Sequence, residues 1–306
     1  MKSVKMDINE FISSLKRIET IDRWTFELFK IKCSKNKASY VASLADLQSD
    51  EIVKNTVFDV LRKYTDCEKT WSLDDYAGEF VNDRVYQIHY DSPLISESFN
   101  SLVSSFERPE VEDKKISLPY SGYSMVSSID GVRVMLISMH PPVKILKNKF
   151  VLSKGNVFKE LKSLVLTLRD DIDVLIIGDD VFFFSALGEK LFNMERSLKT
   201  NCEKRINEII NTEIVADADK FRHTAVKGVN PRRFVSFNSM KLKALANVDR
   251  RKEIAAKFNL NISEEDKIDT SDEVKACRLI KFLCDKAMLD PIEDFPVEVS
   301  AAKSWT

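Results

Sequence analysis

The stretch Tyr123-Ser-Met-Val-Ser-Ser-Ile-Asp-Gly-Val-Arg-Val-Met-Leu-Ile-Ser-Met139 sets the fold class. Its Asp130-Gly131 dipeptide supplies the positive φ values that a tight hairpin turn demands, and Tyr123–Ser128 and Val132–Met139 flank it as apolar-rich strands. An antiparallel hairpin is therefore expected at the centre of the chain. Working outward toward the C-terminus, Leu164–Leu168, Val174–Ile177 and Val181–Phe184 are short apolar runs separated by Asp170-Asp171 and Gly178-Asp179-Asp180. They read as a meander with two more tight turns, leading directly into a long amphipathic helix from Leu187 to Ile210.

Toward the N-terminus, Trp24, Phe26 and Leu28 alternate along 24–32 as one face of a half-buried strand, and a second strand is expected at Tyr40–Leu44. Ile52, Val53, Val57, Val60 and Leu61 have helical spacing between Ser49 and Tyr64, with Asp50 and Glu51 in the first turn where negative charge suits the helix dipole. Residues 84–90 read as a further strand and 94–106 as a further helix. Beyond Asn211 the pattern is helices and loops. Pro231 suits the first turn of a helix running to about Asn247, and a second helix covers Arg250–Phe258. A third starts at Thr270, whose spacing to Glu273 matches a capping box, with Val274, Cys277, Ile280 and Leu283/Cys284 as its buried stripe. The expected fold is thus α+β: a mostly antiparallel mixed sheet with helices over 1–186, then a mainly helical part over 187–306, the two sharing an interface.

The chain has 306 residues and 44% apolar content, enough for one large core or two modest ones without staples. Its five cysteines are odd in number and scattered, with no CxxC or Cys/His cluster, so reduced thiols are expected and a zinc site is not. No apolar run approaches a membrane span and Met1 opens no signal peptide, which leads us to expect a cytoplasmic protein that is not itself embedded in a membrane. No P-loop, Gly-x-Ser-x-Gly elbow or His-x-x-x-His spacing occurs. His89, His140 and His223 stand apart from one another, and His223 beside Arg222 reads better as a DNA contact than as a catalytic base. The acidic groups Asp170-Asp171, Asp179-Asp180 and Glu264-Glu265-Asp266 fall in turns or helix starts, where carboxylates are favoured locally, rather than converging as two-metal catalysis requires.

The sharpest signal is charge. Between Lys220 and Lys257 lie eleven basic residues against Asp249 and Glu253, a net charge of +9 in a chain whose total is −1. Such local asymmetry suits a binder of the phosphate backbone, with acidic surface elsewhere limiting nonspecific adhesion. Solvated faces of ordinary helices are the competing account, weakened by the scarcity of acidic partners within the segment. The candidate DNA-binding residues are Arg222, Lys227, Arg232, Arg233, Lys241, Lys243, Arg250, Arg251 and Lys252. Phe221, Phe234 and Phe237 are expected to face the core, which favours recognition of duplex backbone over base stacking. Charge reversal at Arg232, Arg233, Arg250 and Arg251 is expected to abolish binding with the fold intact. A second basic stretch, Lys144 to Arg169 at +6, reads first as the wet face of an edge strand and second as an extension of the same groove.

The order of features resembles a known family. Asp173-Val-Leu-Ile-Ile-Gly-Asp-Asp-Val-Phe-Phe-Phe-Ser185 before a long helix, then Asn230-Pro-Arg-Arg-Phe234, then the Asp272–Asp285 helix leading to Val297-Glu-Val-Ser-Ala-Ala-Lys303, is similar to the KwaB family of the Kiwa antiphage system. The likeness covers most of 124–306 and, more weakly, 24–32. The resemblance implies a bacterial defence protein that binds DNA, phage DNA included, as a dimer, interfering with phage replication and transcription. It also implies a small membrane-spanning partner, KwaA, able to recruit the protein to the inner membrane. The tail Val297–Lys303 departs from the family pattern, lacking a tyrosine and an adjacent Ser-Lys pair. The expectation is a DNA-binding effector that is not an enzyme, with no catalytic residue, metal or cofactor. A metal-dependent nuclease, and an adaptor for an acidic protein or membrane surface, are the alternatives.

Overall fold

A computed structural model describes residues 5–33, 38–44, 50–66, 71–81, 83–107, 121–139, 151–154, 157–160, 171–290 and 295–298. The backbone divides into two compact units, residues 1–75 with 82–193, and residues 76–81 with 194–306.

The first unit contains α1 (Ile8–Glu19), β1 (Thr25–Cys33), β2 (Ala38–Leu44), α2 (Asp50–Thr65), β3 (Ser72–Asp75), β4 (Arg84–His89), α3 (Ser96–Glu107), β5 (Gly122–Ile129), β6 (Val132–Met139), β7 (Val151–Lys154), β8 (Val157–Glu160), β9 (Val174–Ile177), β10 (Asp180–Phe183) and α4 (Leu187–Leu191). Eight strands make one sheet in the order β2-β1-β5-β6-β9-β10-β4-β3, and β7 pairs with β8 in a separate hairpin. Every pairing in the large sheet is antiparallel except β3 with β4. The central hairpin forms as expected, with Asp130 at φ 51° and Gly131 at φ 79°. A second tight turn at Gly178-Asp179 joins β9 to β10.

Strand alternation presents two apolar faces, and helices cover both. Phe26, Tyr123, Met125, Leu136, Leu175 and Phe182 pack with Phe11, Leu15 and Ile18 of α1 and with Phe58 and Leu61 of α2. α1, which the sequence reading did not mark, has a capping box: Asp7 accepts from the Glu10 backbone N–H at 2.9 Å, and Glu10 accepts from that of Asp7 at 3.0 Å. On the opposite face Phe106 of α3 meets Phe29 at 5.7 Å between ring centroids. Gly188 lets α4 press against Phe183 and Val174, where any Cβ would collide. That face also buries Glu27, 2% exposed, directly across from Ser124, and neither Glu27 Oε2 nor Ser124 Oγ has a hydrogen-bond partner among the described residues. Burial pushes the Glu27 carboxyl up to about 7.

The second unit contains α5 (Met194–Ile210), α6 (Ala218–Ala225), α7 (Asn230–Arg233), a 3₁₀ turn (Phe234–Ser236), α8 (Ser239–Ala246), α9 (Val248–Lys257), α10 (Glu273–Leu283), β11 (Ala287–Leu289) and β12 (Pro296–Glu298). Its core gathers Ile206, Ile209, Phe221, Phe234, Leu245, Leu279, Ile280 and Leu283. The six residues 76–81 belong to this unit. Arg232 Nη1 donates to Gly78 O at 3.1 Å and Lys286 Nζ to Glu79 Oε2 at 3.4 Å.

Three sequence expectations are corrected. The helix expected over Leu187–Ile210 is broken at Phe192-Asn193, because Asn193 adopts φ 51° and ends α4 before α5 begins. The helix expected from Pro231 to Asn247 is broken as well. Asn238 leaves helical geometry at ψ 102°, donates its backbone N–H to Leu283 O at 2.8 Å, and caps α8 through its side chain. The α10 cap is Asp272, which accepts from the Lys275 backbone N–H at 2.9 Å, whereas the Thr270 hydroxyl is buried and donates to Asp217 O at 2.9 Å. The buried stripe shifts accordingly to Ala276, Leu279, Ile280, Phe282 and Leu283, leaving Val274 62% exposed. The strand expected at Leu164–Leu168, His140, Asp170, Cys67, the side chains of Lys144–Arg169 and the tail beyond Glu298 lie outside the described residues.

Candidate nucleic-acid interface

The way each helix of the C-terminal unit starts decides which of its cations face outward. Asp217 caps α6 by accepting from the Lys220 backbone N–H, which turns Phe221, Thr224 and Ala225 inward and leaves Arg222 and His223 exposed. Arg222 Nη2 donates to Asn207 Oδ1 at 2.7 Å, a neutral partner that leaves its charge uncompensated. Lys227 stands in an exposed turn beside Gly228, whose φ is +57°. α8 buries Leu242 and Leu245 and exposes Lys243. Asn247 then ends α8 and caps α9, accepting from the Arg250 backbone N–H at 3.0 Å. In α9, Arg251 and Ala255 turn inward while Arg250 and Lys257 point to solvent. Lys227, Lys243, Arg250 and Lys257 have no ion-pair partner among the described residues.

The other sequence candidates are engaged within the unit. Arg251, only 7% exposed, donates from Nε to Leu245 O and from Nη1 to Asp266 O, both at 2.6 Å, closing the C-terminal turn of α8 onto the loop after α9. Arg232 holds Gly78 O. Arg233 donates to Asn230 Oδ1 at 2.8 Å and reaches Glu298 Oε1 at 3.4 Å. Lys241 Nζ lies 2.8 Å from Asp285 Oδ1, donates to Phe282 O at 2.9 Å and sits 4.7 Å from the centroid of the Phe282 ring. Lys252 pairs with Asp266 at 2.7 Å, in a mostly solvated position.

The acidic partners scarce within the segment are therefore supplied by distant residues: Asp266, Asp285 and Glu298. A reversal at Arg251 cannot leave the fold intact, since its guanidinium replaces water for buried carbonyls; on that point the sequence expectation is corrected. Structure also adds residues that sequence reasoning missed. Lys281 Nζ meets Glu298 Oε2 at 2.7 Å, and the 3%-exposed Lys286 pairs with Glu79. Nothing local in the sequence marks either lysine, because both carboxylates come from remote chain.

Elsewhere, His89 Nδ1 lies 2.7 Å from Asp91 Oδ1, and Asp180 stands opposite His89 across the β10–β4 pair. Burial raises the Asp180 carboxyl, with His89 lowering it and Asp179 raising it further. Burial also pushes the Cys202 and Cys284 thiols up to about 12, away from the thiolate form that acts as a nucleophile. Among the described residues no three His, Cys, Asp or Glu side chains converge as a metal site, and no helix is long and apolar enough to cross a membrane.

Compared with known proteins, residues 136–292, about half of the chain, match the family model described as Kiwa protein KwaB-like. That span takes in the second half of β6, all of β9 and β10, and the whole basic segment. No curated protein and no solved structure matches.

Proposed function

The chain belongs to the KwaB family, which gives it a role in Kiwa antiphage defence, and from that premise we propose that it acts by gripping duplex DNA without cutting it. One observation carries the reading: Arg222, Lys227, Lys243, Arg250 and Lys257 are solvent-exposed on α6, the turn after it, α8 and α9, opposed in that segment only by Asp249 and Glu253. Cations without an ion-pair partner among the described residues, four of the five on helices, neutralise phosphates without first breaking an ion pair, and their binding energy comes largely from released counterions. The half-exposed Lys252 can exchange Asp266 for a phosphate. Arg232, Lys241 and Arg251 shape the surface from beneath. Family membership suggests association with a KwaA partner. In this reading the DNA-binding protein is a homodimer and the membrane-embedded KwaA brings it to the inner membrane, where occupied DNA is blocked from replication and transcription.

The test is fluorescence anisotropy with phage-derived duplex over a range of salt. Log K is expected to fall by about 0.9 per phosphate neutralised for each unit of log salt concentration. Reversing Lys227, Lys243, Arg250 and Lys257 to glutamate is expected to remove binding with the melting temperature preserved. Equal binding by the wild type and that variant refutes the assignment. Reproducible plasmid cleavage with Mg²⁺, lost on mutating Asp179-Asp180, refutes the non-enzymatic reading.

A further inference from the structure

We propose that Arg233 and Lys281 form a phosphate-binding site whose seat is taken, in this structure, by the chain's own Glu298 carboxylate; the proposal rests on the duplex-binding reading and adds a contact and a latch to it. The two cations come from different elements, α7 and α10, and meet the two oxygens of one carboxylate separately: Arg233 Nη2 at Oε1, 3.4 Å, and Lys281 Nζ at Oε2, 2.7 Å. Two donors arranged around two oxygens of one anion is the geometry by which a guanidinium and an ammonium share a phosphate.

The guanidinium half of the site is built independently of Glu298. Arg233 has a side chain only 14% exposed, and its Nη1 donates to Asn230 Oδ1 at 2.8 Å. Asn230 is itself buried and anchored by its amide to Thr224 O at 2.9 Å. The guanidinium is thus aimed by a buried amide whose own anchor is Thr224 O rather than Glu298. By contrast, the occupant is lightly held. Glu298 has a half-exposed side chain on β12, a strand that pairs over three residues with β11. Water competes well for such a carboxylate, whereas a phosphate offers more acceptor oxygens to the same two donors. Lys241 and Lys252, facing Asp285 and Asp266, each meet one carboxylate alone and lack this convergence. Duplex binding at Arg233 and Lys281 therefore requires Glu298 to leave, which makes the β11–β12 hairpin a competitive mask on the surface.

Three variants test this: Glu298→Gln, Lys281→Gln and the double substitution, each in the full chain. Two readouts are used, anisotropy with a short fluorescent duplex and thermal melting with and without inorganic phosphate. Glu298→Gln is expected to bind the duplex about fivefold tighter than wild type, with a log-log salt slope steeper by about 0.9, as one added phosphate contact requires. Lys281→Gln in that background is expected to cancel the gain. Phosphate is expected to raise the melting temperature of Glu298→Gln more than that of the double variant. If wild type binds duplex and Glu298→Gln binds no tighter, the site is overturned while the duplex reading stands. If no protein binds duplex but phosphate stabilises Glu298→Gln through Lys281, the site stands and the duplex reading falls. Absence of both effects overturns the proposal.

Discussion

Replacing Glu27 by glutamine isolates one buried carboxyl whose protonation the fold controls. Glu27 is 2% exposed on β1, faces the unpartnered Ser124 hydroxyl, and has its carboxyl raised by burial from 4.5 to about 7. The folded chain therefore holds this proton more tightly than the unfolded chain does. Its contribution to stability is fully present below the unfolded value near 4.5, and it is lost as pH rises toward and through the folded value near 7. The full difference amounts to about 3 kcal/mol, a ceiling that rotation of Ser124 Oγ–H toward the carboxylate lowers. Glutamine has the same shape and no charge, so its stability carries no such slope. Urea unfolding at a series of pH values reads the effect as the difference between Glu27→Gln and wild type. That difference is expected to grow in favour of the variant, by under about 1 kcal/mol at pH 5 and about 3 kcal/mol at pH 8. A difference independent of pH, or a variant that becomes relatively less stable as pH rises, refutes the reasoning.

Arg251→Gln removes the guanidinium from the carbonyls of Leu245 and Asp266, and is expected to lower stability by about 3 kcal/mol, seen in thermal melts. Gly188→Ala forces a methyl group into the Phe183 ring and Val174, with an expected loss of about 1–3 kcal/mol by urea unfolding. Hydrogen bonds from Lys275, and then from Ser271, hold the Asp269 carboxyl down at about 2. Its contribution is present above the ordinary aspartate value and lost as pH falls toward 2, so Asp269→Asn is expected to shrink the acid-induced drop in melting temperature below pH 4.

What the sequence showed of the fold was whatever has a local cause. The β5–β6 hairpin was legible because Asp130-Gly131 dictates its own turn, and β1 because Trp24, Phe26 and Leu28 fall on one face of an alternating pattern. The α4–α5 break was hidden since Asn193 looks like any polar residue within a helical pattern; only its left-handed backbone stops the helix. Thr270 misled because the capping spacing to Glu273 is real in sequence, while its hydroxyl is taken by Asp217. For the candidate surface, the concentration of charge could be read by counting. Which arginines are free could not, because that depends on partners far along the chain: Glu298 lies 65 residues from Arg233.

The strap of residues 76–81 constrains how this protein can be divided and made. The C-terminal helical unit takes six of its residues from chain that lies between β3 and β4. A fragment starting at Met194 lacks Gly78 and Glu79, and so breaks the ion pair between Glu79 and Lys286, whose side chain is 3% exposed in the whole chain. Breaking a buried ion pair is costly, so truncation at that point is a poor route to an isolated C-terminal unit. On the ribosome the order is reversed: Tyr76–Val81 emerges long before Arg232 and Lys286 exist. These six residues must wait until residues 194–286 have been synthesised, so a unit translated late completes its fold around a loop made much earlier.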